Sequence, residues 1–121
     1  MVVLKYNYFS EVKRMVELTL ENWEEEVTNA EGLVLIDWWG VSCELCIAIM
    51  PMVQELGKEY EGKIAFKKFD ASQKGVKRFC IQHRIMGLPV INIWKNGEKI
   101  DEIVKEECTK EGIIALIEKH L

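Results

Sequence analysis

The sequence predicts an α/β domain: a central mixed β-sheet flanked by helices on both faces. Three observations carry this. Apolar runs of strand length alternate with stretches of helical periodicity in the order βαβαβαββα, the pattern of a sheet covered by crossover helices. The run Leu33-Val34-Leu35-Ile36-Asp37-Trp38-Trp39 is apolar except for one carboxylate, as a strand buried on both faces requires. Asn96-Gly97, between two strand-like runs, marks a hairpin, so the sheet ends antiparallel.

In chain order, Val2, Leu4, Tyr6 and Tyr8 alternate with other residues, which fits either an added strand or a tail; residues 1–14 are set apart as an N-terminal extension and 15–121 as the domain. Val16 and Leu18 begin a short strand. Thr19 caps a helix carrying Leu20, Trp23 and Val27, with Leu18 and Trp23 spaced as a hydrophobic staple. Asn29 to Gly32 ends it, and the central strand follows. A helix over 43–60 lines up Cys46, Met50, Val53, Leu56 and Tyr60, with a kink at Pro51. A strand over 63–70 puts Ile64, Phe66 and Lys68 in one phase. Ser72 to Lys77 is a polar connection to a short helix around Phe79, Cys80 and Ile81. Gly87-Leu88-Pro89 introduces a strand over 90–94, and a strand over 98–104 returns from the hairpin. The last helix, 109–120, turns Ile113, Ile114, Ile117 and Leu121 inward.

At 121 residues and 49% hydrophobic, the chain can bury a core without disulfide staples. A formal charge of −4, spread along the chain, marks no nucleic-acid or anionic-membrane surface. No apolar run approaches the roughly 20 residues that span a bilayer. Only Val2-Val3-Leu4 is apolar before Lys5, too little for a signal peptide, so the expected location is cytoplasmic. In that compartment a Cys-x-x-Cys pair is more often catalytic or metal-binding than structural.

The chemistry gathers where the central strand breaks at Gly40 and delivers Cys43-Glu44-Leu45-Cys46 to the start of a helix. Thiols three residues apart can close a small disulfide, and the free N–H groups of a helix N-terminus favour a thiolate. Asp37 stands out because burying a carboxylate is costly without a partner or a task. Lys68 is a second charge in an apolar register. Cys80 and Cys108 form no second close pair of the kind zinc sites use, so no metal is expected. Cys80 reads as a small core hydrophobe, Cys108 as a surface or capping position, and His83 and His120 as solvent or capping residues. Trp23, Trp38 and Trp94 read as core, and Trp39 as packed near the cysteine pair.

Together, the strand, the Cys-x-x-Cys, the proline-kinked helix, Asp37 six residues before Cys43, Trp39, Pro51, Lys68, Gly87-Leu88-Pro89 and Asn96-Gly97 resemble the thioredoxin family from about Met15 to Leu121. The resemblance implies the thioredoxin fold and a protein disulfide reductase with no cofactor beyond its own Cys43–Cys46 disulfide. Cys43 would be the nucleophile and Cys46 the resolving thiol. Asp37, paired with Lys68, would be the proton acceptor, and Pro89 would be cis. Ser42, Glu44, Leu45, Gly87, Leu88, Pro89 and Lys105 would contact the substrate. The implied partners are disulfide-bearing proteins and a thioredoxin-reductase-type electron donor, served by a monomer.

The chain departs from the family pattern Trp-Cys-Gly-Pro-Cys, having Ser42-Cys43-Glu44-Leu45-Cys46. A largely solvated Glu44 charge about 6 Å from the Cys43 sulfur costs its thiolate roughly 0.5–1 kcal/mol, which favours the disulfide and hence a reducing protein. Ser42 and Lys105 replace a tryptophan and, by alignment, a glycine of the family's docking surface, so partner choice should differ. The competing readings are a redox-inactive binding module of the same fold and a glutaredoxin-like or isomerase-like oxidoreductase.

Overall fold

The computed structural model describes residues 15–121, so both readings of residues 1–14 fall outside it. Five strands, β1 (Val16–Leu18), β2 (Leu33–Trp39), β3 (Ala65–Asp70), β4 (Val90–Lys95) and β5 (Glu98–Val104), form one sheet in the order β1-β3-β2-β4-β5. The β1/β3 and β3/β2 pairs are parallel, and β2/β4 and β4/β5 are antiparallel. Asn96 (φ 53°) and Gly97 (φ 80°) make the β4–β5 turn, as the hairpin signal requires. The remaining elements are a π-helical turn, Glu24–Thr28, a 3-10 turn, Lys105–Glu107, and the helices α1 (Glu44–Glu59), α2 (Lys77–Gln82) and α3 (Lys110–Glu118).

Strand alternation sorts the core into two layers. Leu35, Phe66, Ile91 and Ile93 face Val53 and Leu56 of α1 and Ile113, Leu116 and Ile117 of α3. On the other side Val34, Ile36, Trp38, Phe69 and Trp94 pack with Val27, Cys80 and Ile85, and with partly buried Trp23 and Phe79. Cys80 is the small core residue expected.

Three departures from the sequence reading have local causes. Thr19 and Asn22 do cap each other, through Asn22 N–H to Thr19 Oγ1 at 3.1 Å and Thr19 N–H to Asn22 Oδ1 at 2.7 Å. Yet only the wide turn Glu24–Thr28 follows, because Lys67 Nζ takes the Glu26 carbonyl at 2.6 Å and Ala30 N–H turns to Val27 O instead. β3 starts at Ala65 rather than residue 63, since the N–H groups of Lys63 and Ile64 both bond Tyr60 O at the end of α1. Leu121 is 53% exposed; α3 stops at Glu118, and Leu116 takes the inward position.

Candidate functional site

β2 runs through the middle of the sheet and stops at Trp39, and α1 begins at Glu44. The turn between them carries Cys43 as the helix N-cap. Its Sγ accepts the Cys46 N–H at 3.1 Å, and its own N–H bonds Gly40 O at 3.1 Å. Cys43 and Cys46 are joined by a disulfide with their Cα atoms 5.2 Å apart. The two sulfurs differ in access: Cys43 is half-buried and Cys46 fully buried. Only the first can meet a partner. Position 51 in α1 is the proline that the sequence places there, inside the helix.

Asp37 lies on β2 in register with Lys68 of β3 on one side and Ile91 of β4 on the other. It is 1% exposed, and neither carboxylate oxygen has a hydrogen-bond partner among the described residues. Burial pushes its pKa up to about 7, against the opposing pull of Lys68, and the Glu17 charge adds to the rise. The pairing of Asp37 with Lys68 is one of strand register and charge, with no salt bridge between the two. The Lys68 ammonium lies 3.6 Å from Glu17 Oε1 on the edge strand β1, 5.6 Å from the Trp39 ring centroid. The physical reason is solvation: Glu17 lets the lysine keep its charged end near water, whereas Asp37 would draw it into the core. Lys68 therefore acts on Asp37 through its field rather than through contact. Trp39 Nε1 points to Glu17 Oε2 at 3.4 Å.

The Leu88–Pro89 peptide is cis. Its loop meets the cysteine turn through Leu88, whose Cδ1 would lie 3.0 Å from a Cβ added at Gly40. From the other side, Lys105 N–H donates to Pro89 O at 2.8 Å. Thus Gly87, Leu88 and Pro89 are brought to the pole that holds Ser42, Cys43, Glu44 and Leu45, and Lys105 borders them. Ser42, Glu44, Leu45 and Lys105 are exposed, Gly87 and Leu88 half-buried, and Pro89 buried. A shallow depression of about 490 Å³, lined by Val41, Ser42, Glu44, Ile47 and Ala48, adjoins Cys43.

The surroundings of the site depart from the sequence reading at Cys108 and gain Val41 and Met86. Cys108 is not a surface or capping residue. It is 2% exposed, its sulfur facing the carbonyls of Pro89 at 3.9 Å and Ile103 at 3.8 Å, while Thr109 caps α3 by accepting Gly112 N–H. Burial, with the Asp37 and Glu107 charges behind it, pushes the Cys108 thiol up to about 12. His83 ends α2 but also stacks on Trp23, with ring centroids 5.4 Å apart. Val41 (64% exposed) and Met86 (79% exposed) flank the site, beyond the residues that the sequence reading assigns to it. Each is a large apolar residue outside any helix or strand, with no periodic face to join.

Comparison with known proteins agrees with this geometry. The thioredoxin family model matches residues 14–119. Among curated relatives, a thioredoxin of Peptoclostridium acidaminophilum is 43% identical over 88% of this chain and 96% of its own length. One of Acetoanaerobium sticklandii is 39% identical over 88% of this chain and all of its own length. One of Staphylococcus saprophyticus is 30% identical over 88% and 98%.

Proposed function

Because the chain belongs to the thioredoxin family and is a thiol-disulfide oxidoreductase that reduces protein disulfides, we propose that Cys43, Cys46 and Asp37 divide the work as nucleophile, resolving thiol and proton acceptor. The Cys43 thiolate attacks one sulfur of a partner disulfide, forming a Cys43–partner disulfide and releasing the other partner sulfur, which takes a proton. Cys46 then gives its proton to Asp37 and attacks the Cys43 sulfur. That closes Cys43–Cys46 and frees the second partner thiol. Two electrons pass to the partner, and a thioredoxin-reductase-type protein returns two to the pair.

The observation that carries this reading is the orphaned Asp37 carboxylate, buried on the strand that ends at the cysteine turn. A group with a pKa of about 7 takes and returns a proton near neutrality at little cost. Lys68 tunes it through space. Residues 15–121 act as one unit that supplies every site residue, consistent with a monomer, and residues 1–14 are an extension to it. The free thiols of Cys80 and Cys108 suit a reducing compartment such as the cytoplasm.

The test uses Cys46→Ser and insulin as the disulfide substrate. A stable Cys43–insulin adduct, seen by intact mass, is expected from Cys46→Ser, and none from Cys43→Ser. Asp37→Asn should flatten the pH dependence of turnover between about pH 6 and 8, centred on the Asp37 pKa. Absence of the adduct, or an unchanged pH profile, would remove the respective role.

A further inference from the structure

We propose that Lys105 makes the docking surface selective for partner segments that carry an acidic side chain beside the Gly87–Pro89 loop. This rests on the dithiol cycle above and names the partners it serves. Four exposed apolar side chains, Val41, Leu45, Ile47 and Met86, gather around the cysteine turn and the loop before Pro89. They give a partner something to bury but nothing to choose by, because apolar contact is non-directional. Choice falls to the charges on the rim.

Lys105 has φ 52°, a left-handed conformation that glycine adopts freely and lysine does not. The Lys105 N–H to Pro89 O bond fixes its backbone against the loop. Its stem crosses Gly87, where an added Cβ would lie 2.7 Å from Lys105 Cε and 3.3 Å from Nζ. The cation is thus held over the loop edge, exposed, and without an ion-pair partner among the described residues. Of the two acidic residues that follow it, Glu107 turns Oε1 back to the Val104 N–H at 2.8 Å, and Glu106 is exposed. Glu44, exposed beside the nucleophile, is the charge on the opposite flank. An extended segment on the loop edge therefore meets a cation at one position and an anion at another. An acidic partner residue is favoured at the first and disfavoured at the second.

The experiment measures reduction, by the full chain in its dithiol form, of short disulfide peptides. Each carries a single Asp or Lys moved through the positions within three of the cysteine. At low salt, one position should show the Asp peptide reduced about three- to fivefold faster than the Lys peptide, the range of an exposed ion pair. Roughly 0.5 M salt should erase most of that preference. Lys105→Met, which keeps the stem, should bring the ratio to about one, and Lys105→Glu should invert it. Lys105→Gly, suited to the backbone, replaces the Met variant if that one does not fold. No preference at any position, or a preference that survives loss of the Lys105 charge, overturns the proposal. Neutral hydroxyethyl disulfide separates the causes. If the unsubstituted protein reduces it but treats the peptides alike, selectivity fails and the chemistry stands; if it reduces none of them, both fail.

Discussion

The two sides of the sheet treat buried polar groups in opposite ways. On the side of α2, Asn92 is completely buried and well bonded: Oδ1 accepts the indole N–H groups of Trp38 at 2.8 Å and Trp94 at 2.7 Å, and Nδ2 donates to Glu102 at 3.2 Å. Lys67, on the same side, is held by the Glu26 carbonyl and carboxylate. On the side of α1 and α3, Asp37 is as deeply buried and has no partner. A buried polar group that is fully bonded fixes structure; one left unbonded keeps its protonation equilibrium open for use. The difference separates the scaffold from the site.

The sharpest break in that contrast is Asn92→Ala. It strands two indole donors in the core and is expected to cost roughly 4–5 kcal/mol in urea unfolding, from about 1–3 kcal/mol per orphaned donor plus lost packing. A cost under about 1 kcal/mol would show that the network is not structural. Asp37→Asn should act the other way. With a folded pKa of about 7 against an ordinary 3.8, Asp37 favours folding most below pH 3.8, and that advantage fades as pH rises to about 7. The variant should then match the parent near pH 4 and exceed it by roughly 3–4 kcal/mol at pH 9. Equal stability at both pH values would mean that the carboxylate is not penalised by burial.

Cys108 sharpens the comparison from the same side. Its thiol, pushed up to about 12, should alkylate at pH 8 at least about a thousandfold more slowly than Cys43 in the reduced chain, as peptide mass mapping would show. Comparable rates would place it outside the core. The smallest effect belongs to Asp101, a bonded carboxylate near the end of α3. His120 Nε2, at 2.8 Å, and Lys119 Nζ, at 3.0 Å, hold its pKa down to about 2. A depressed pKa adds stability above 3.8 that is lost as pH falls towards 2. Asp101→Asn should cost under about 1 kcal/mol at pH 6 and nothing at pH 2, since the group is partly solvated.

Much of this was legible in the residues. β2 matches its predicted span, Leu33–Trp39, because two-sided burial writes an apolar run that polar neighbours cannot imitate. Asn96-Gly97 fixed the hairpin through backbone preference alone, and Cys43 at a helix start followed from local spacing. Asp37 was conspicuous as a lone charge in that run. Cys108 was not legible, because the helix-start signal it shares with Thr109 does not reveal that the turn before α3 tucks its sulfur beneath Pro89. The partner of Lys68 was hidden too, since nothing local says that β1 lies beside β3 and offers Glu17.

The sequence by itself determined the order of the strands, the hairpin and the cysteine pair at a helix start, because periodicity, turn chemistry and cysteine spacing act over a few residues. Tertiary structure alone decided that Cys108 is buried, which charges meet, and that Lys105 overhangs Gly87. Those outcomes depend on segments tens of residues apart, brought together by sheet order and register. Contact across such distances is fixed only when the whole core closes.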